Sequence, residues 1–165
     1  MKSLSEIETV SKRSSKAAGF PWGIAEEVGK NIKLLEMFGL SGIKNLNYYF
    51  RDREKKIFEK LNLVSKDNKT TKNNFCPIIA GISFLDQVRS LEAFREIKFE
   101  KIAYPLIFLP FISRASEVIG KKLVLKIDNR VFLLNFNNSI YSNSLNDGVI
   151  EIGNNILIKF QENVD

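Results

Sequence analysis

The side chains best suited to chemistry in this chain are carboxylates and one arginine. Glu26 and Glu27 stand side by side in GFPWGIAEEVG, residues 19–29, close to the single tryptophan, Trp22. Asp86 lies in GISFLDQVR, and Arg114 follows the proline-punctuated apolar run YPLIFLPFIS. A carboxylate of raised pKa can serve as a general base. The planar fork of an arginine can clamp a substrate carboxylate. Gathered around one cleft, Glu26, Glu27, Asp86 and Arg114 would suit a lyase or isomerase acting on a small acid. Together with Trp22 they form the candidate ligand-binding set. Each also has a structural reading. Trp22 is the apolar body that a helical corner buries, with its indole N–H seeking one acceptor. Glu26 and Glu27 fall in the first turns of a helix, where the dipole favours negative charge. Asp86 with Arg89, and Arg114 with Glu117, have the i,i+3 spacing of ordinary helical pairs.

What is missing narrows the chemistry further. There is no histidine among the 165 residues. That removes the commonest general base, the commonest zinc ligand and the usual Ser–His or Cys–His pair. No GxGxxG, GxxxxGK[ST], CxxC or GxSxG is present. The three glycines Gly19, Gly23 and Gly29 lack dinucleotide-binding spacing. No cofactor and no metal are expected. The lone cysteine, Cys76, cannot form an internal disulfide and fits a reducing compartment. Without a histidine it needs a helix N-terminus or a nearby cation for activation, and the reading preferred is a buried, inert thiol.

Charge is unevenly placed. The net charge is +6, and residues 1–74 account for all of it, with 15 basic against 9 acidic side chains. Most of the excess lies between residues 44 and 72, where Tyr48, Tyr49, Phe50 and Phe58 interleave with lysines and arginines. A nucleic-acid patch has this composition. A solvated helix face followed by a lysine-rich linker has it too, and is preferred. MKSLSEIETV lacks the apolar core of a signal peptide. The longest apolar run, residues 102–112, is too short to span a bilayer. A cytoplasmic location without membrane association is expected.

The elements that must position these residues follow from periodicity and punctuation. Ser3 to Glu6 reads as a capping box opening a helix over 4–18. Gly19 is its stop, and Pro21 suits the first turn of a second helix. Ile24, Ala25, Val28, Ile32 and Leu35 form that helix's apolar stripe, which Gly39 ends. Gly29 would let another backbone approach closely. Ser41 caps a third helix, and IFEKL, 57–61, reads as one more helical piece. SKDNKTTKNN, 65–74, is a polar linker. A helical stretch is expected over 84–94. The first part of YPLIFLPFISRASEVIG, apolar on all sides, reads as buried strand or extended chain. Pro110 then starts a helix that Gly120 ends. KLVLKID and VFLLNF flank Asn129-Arg130 as one hairpin. VIEI and NILIKF flank Gly153-Asn154 as another. The fold class is α+β: N-terminal helices, then a small antiparallel sheet of about four strands. The organisation is 1–64 helical, 65–74 linker and 75–165 mixed, within one compact domain.

Two resemblances accompany these readings. KAAGFPWGIAEEVGK, followed by CPIIAG and LPFISRA, resembles an uncharacterised bacterial family with an A-G-x-P-W-G-[LI]-A-E-E signature, over most of the chain. It implies an identity without an activity. The first 50 or so residues are also similar to the helical start of the malate/L-lactate dehydrogenase family. The shared features are a helix, A-G, a helix with A-E-x-V, G-L-x-G and a tyrosine-bearing third helix. That family places a catalytic histidine in a stretch that here reads Ser41-Gly42-Ile43-Lys44-Asn45-Leu46. Asn45 and Tyr48 stand in the approximate places of its arginines. The resemblance therefore implies a relative without the redox step: an accessory subunit, or a scaffold reused for another ligand. Three functional readings result. The first is a non-redox protein binding a small molecule or a partner protein. The second is the carboxylate–arginine enzyme. The third, the least favoured, is a nucleic-acid module over 44–72. A homo-oligomer is compatible with all three.

Overall fold

The computed structural model describes residues 3–135, 139–142 and 148–161. Among the described residues, five α-helices and six strands build an α+β fold with the helices first. They are α1 (Leu4–Ala17), α2 (Trp22–Met37), α3 (Gly42–Arg53), β1 (Asp67–Asn68), α4 (Pro77–Leu91), β2 (Glu96–Ala103), α5 (Pro105–Ile119), β3 (Leu123–Ile127), β4 (Arg130–Asn135), β5 (Ser139–Ser142) and β6 (Ile152–Phe160). The sheet order is β1-β2-β6-β3-β4-β5, antiparallel apart from the two-residue β1.

The first three helices follow their punctuation. The Ser3 hydroxyl accepts the Glu6 amide and starts α1. Gly19 and Gly39 stop α1 and α2 at φ of +102° and +77°, angles that cost glycine little. α1 and α2 pack closely at Gly29, where a Cβ would come within 2.8 Å of the Glu8 carbonyl oxygen. That close approach is the one the glycine was expected to serve.

α5 is the centre of the molecule and departs from expectation. Residues 105–113 are buried on every side, yet they form helix and not strand. Pro105 occupies the first turn, and Gly120 closes the helix in the left-handed region at φ +65°. Pro110 lies inside the helix and does not begin it. An apolar run without polar punctuation fits either element, and here its length of 15 residues decides for helix. One side of α5 meets α2 and α3, α4 lies beside it, and another side meets β3 and β4. Alternate residues of the sheet fill the space beneath: Ile97 and Phe99 of β2, Leu123, Leu125 and Ile127 of β3, Phe132 and Leu134 of β4, and Ile156 and Ile158 of β6. The registers Leu125–Phe132, Leu125–Ile158 and Phe99–Ile156 stack these apolar pairs across the strands.

Three more local readings are corrected. Residues 57–61 are not helical. The backbone of Glu59 instead bridges Phe75 in parallel, accepting from the Cys76 amide and donating to the Asn74 carbonyl. The polar stretch 65–74 contributes β1, with Asn68 buried and its amide donating to Ser65 and Lys98. Gly153-Asn154 is not a turn but lies inside β6, paired to β2. Gly153 is needed there because a Cβ would meet Ile156 at 2.6 Å and Pro105 at 3.1 Å. The first hairpin stands as expected, one residue earlier: Asp128 and Asn129 make the turn, with Asp128 at φ +53°.

A carboxylate clip holds the connection between α3 and α4. The Glu59 side chain accepts from the backbone amides of Thr71, Lys72 and Asn73 and from the Thr71 hydroxyl. These donors, the hydroxyl first, lower its pKa to about 2 from an ordinary 4.5. A depressed pKa stabilises the fold above the unfolded value, and the contribution fades as pH falls from 4.5 towards 2. Chemical denaturation as a function of pH should show a descending acid limb. Glu59→Gln should flatten that limb while leaving its slope above pH 6 unchanged.

Candidate functional site

The structure brings together only two of the five candidate side chains. Arg114, on α5, pairs with Glu27, on α2, and its Nη1 also reaches the Asn31 Oδ1 at 3.3 Å. The pair joins two helices that are neighbours in space but far apart in sequence, and it replaces the expected Arg114–Glu117 contact. Glu26 faces away and pairs with Lys12 on α1 at 3.5 Å. Asp86 is exposed on α4, and Arg89 donates to the Val118 carbonyl. Trp22 is 52% exposed, with the Lys12 and Lys16 ammonium groups 5.4 and 5.5 Å from its ring centroid. It is not the buried body of the corner. Phe20, two residues earlier and 5% exposed, fills that place. None of these five residues lines the three clefts described below.

Between α1 and α3 lies a cleft of about 470 Å³. The last turn of α1 supplies Ser14, Ala17 and the following Ala18. α3 supplies Asn47, Phe50 and Arg53, with Glu54 as its cap. Two other clefts have different linings. One of about 460 Å³ is bordered by Lys55, Lys56 and Lys72, and one of about 370 Å³ lies over the outer face of β2 and β6 beside Lys98 and Asn155.

Arg53 separates the first cleft from the others. Its guanidinium carbon lies 4.1 Å from the Phe20 ring centroid and 5.9 Å from that of Tyr49. Ring faces attract a guanidinium and fix its plane. Among the described residues Arg53 forms no ion pair, and its Nη1 is buried without a hydrogen-bond partner. A buried donor left unpaired costs about 1–3 kcal/mol, more when charged. Arg114 is already neutralised by Glu27, whereas Arg53 is a fixed cation without an anion. The residues three and four positions away in sequence, Tyr49, Phe50, Lys56 and Ile57, include no acid. The sequence by itself does not mark Arg53, because Lys44 of the same segment likewise has no acid three or four positions away.

Behind Arg53 lies a buried polar cluster. The Tyr49 hydroxyl donates to the Cys76 sulfur at 2.7 Å. Burial raises the pKa of both groups, most of all by denying water to their ionised forms, so both stay neutral at ordinary pH. The thiol is buried, as expected. Tyr104 donates to the Asp52 carboxylate, and burial followed by that bond raises the Tyr104 pKa as well. Tyr104 holds φ +45°, a left-handed angle costly for a bulky residue, at the junction of β2 and α5. Tyr49 packs against Phe50, Phe58 and Tyr104, with ring centroids 5.1–5.9 Å apart. Of the aromatics in the basic segment, Tyr49 is core, Phe50 and Phe58 are half-buried against it, and Tyr48 is exposed. Asn45 is also structural: its side chain donates to the Ser41 carbonyl and accepts from the Ile150 amide.

Among the described residues no three acidic or cysteine side chains are grouped to hold a metal ion, and no helix is long and apolar enough to cross a membrane. No curated protein and no solved structure matches the chain. Residues 2–76, which carry α1, α2, α3 and the whole lining of the Arg53 cleft but not the LPFISRA stretch, match the model of a family described as a protein of unknown function (DUF3726).

Proposed function

We propose that this protein binds a small acid-bearing molecule in the cleft between α1 and α3, as a non-redox ligand-binding or accessory protein. The observation that carries the reading is Arg53, a ring-stacked cation without an ionic partner on the wall of a 470 Å³ cleft. Clefts of a few hundred Å³ with an apolar floor and few polar groups are the usual form of small-molecule sites. Ala17, Ala18 and Phe50 supply the apolar surface, and Ser14 and Asn47 supply hydrogen-bonding groups. The carboxylate–arginine enzyme has less support, because Glu26 and Asp86 stand apart from the Glu27–Arg114 pair.

The test is calorimetric titration of the purified protein with acetate, 2-oxo acids, amino acids and inorganic phosphate. At least one carboxylate or phosphate should bind. A charge-assisted contact is worth about 1.5–3 kcal/mol, so Arg53→Gln should weaken that binding by about 10- to 100-fold. Arg53→Lys should recover part of it, since the charge remains but the planar fork does not. Unchanged affinity in Arg53→Gln, or no binding by any acid, would refute the assignment. Incubation with NAD(H) and 2-oxo acids should give no turnover.

A further inference from the structure

The cleft carries a second charge, and it is of the opposite sign. Glu54, the cap residue of α3, lines the same space as Arg53. Among the described residues it too forms no ion pair. The cleft also sits where two helices end, α1 at Ala17 and α3 at Arg53. Helix C-termini present the negative end of the helix dipole and favour cations. One fixed cation, one free carboxylate and two C-terminal dipoles do not suit a multiply charged anion such as phosphate. They suit a molecule that carries both a carboxylate and an ammonium group.

We infer that the ligand of this cleft is a zwitterionic α-amino acid with an apolar side chain. This deepens the acid-binding reading and rests on it. Arg53 receives the carboxylate, Glu54 and the helix ends receive the ammonium, and Ala17, Ala18 and Phe50 cover the side chain. Asn47, six residues before Arg53 on α3, supplies a further hydrogen-bonding group.

L-leucine, its deaminated analogue 4-methylpentanoate and L-leucinamide separate the contributions. Leucine should bind tightest. Loss of the ammonium in 4-methylpentanoate should weaken binding about fivefold, the upper range for a solvent-exposed ion pair. Leucinamide, without the carboxylate, should lose at least as much as Arg53→Gln loses with leucine. Glu54→Gln should bring leucine down to the affinity of 4-methylpentanoate and leave 4-methylpentanoate unchanged. Equal binding of leucine and 4-methylpentanoate, or an equal effect of Glu54→Gln on both, would overturn the zwitterion assignment and leave the Arg53 acid site standing. Binding of phosphate without leucine would have the same meaning. If no acid binds at all, both assignments fall together.

Discussion

Phe20→Ala is expected to destabilise the protein by about 3–5 kcal/mol, the usual cost of emptying a buried aromatic site. Trp22→Ala, two residues away, should change stability by less than about 1 kcal/mol. The reason is exposure: Phe20 keeps 5% of its surface and Trp22 keeps 52%. Phe20 meets the Phe50 ring with centroids 6.1 Å apart and lies under the Arg53 guanidinium. Its removal opens a void and frees Arg53 at once. Trp22 loses only two lysine contacts over its ring. Urea unfolding followed by far-ultraviolet circular dichroism measures both. In the wild type, the Trp22 emission should be red-shifted and quenched by iodide. A Trp22→Ala cost equal to that of Phe20→Ala would reverse the assignment of the corner.

The second large effect is expected at Gly81, in the middle of α4. Helix propensity taken by itself predicts that Gly81→Ala stabilises by about 1 kcal/mol. The packing predicts the opposite. A Cβ at Gly81 would overlap the ring of Phe111, which is fully buried on α5. Overpacking of a closed core costs about 1–3 kcal/mol, and Phe111 has no open space to turn into. A net loss of up to about 2 kcal/mol is expected for Gly81→Ala and more for Gly81→Val. Gly23→Ala provides the control. It lies in the first turn of α2 with nothing within 4 Å of its Cβ position, so it should be neutral or stabilising. A stabilised Gly81→Ala would mean that α4 and α5 can move apart.

The contrast between these glycines shows where sequence is informative. Gly19, Gly39 and Gly120 were readable as helix stops because their role is local, a left-handed backbone angle. Gly153 was misread as a turn because Gly-Asn is a turn dipeptide. Its role is set instead by Ile156 and Pro105, and Pro105 is distant in sequence. α5 was ambiguous for a related reason. Amphipathic stripes betray period, and a helix buried on all sides has no stripe. The β3–β4 hairpin alternates buried and half-buried residues and was recovered to within one residue. Residues 57–61 carry helix-compatible spacing, and the non-local clip of Glu59 onto 71–73 overrode it. In the site, Glu27 and Arg114 were singled out for their chemistry and prove to neutralise each other. Arg53 was hidden in a basic segment, since charge counts do not tell a paired cation from an unpaired one.

The position of β6 in the sheet has a consequence for biosynthesis. It is translated after every other strand, yet it lies between β2 and β3. Once the ribosome has passed residue 135 and before β6 is complete, β2 and the β3–β4 hairpin are already made but share no hydrogen bonds. Each offers an open edge to other chains. The apolar faces of α1–α3 likewise wait for α5. The nascent protein must therefore pass through an interval with unsatisfied edges, closed when β6 inserts. Slowing translation over the segment before β6 should thus promote aggregation, the reverse of its effect on proteins whose domains complete themselves in chain order.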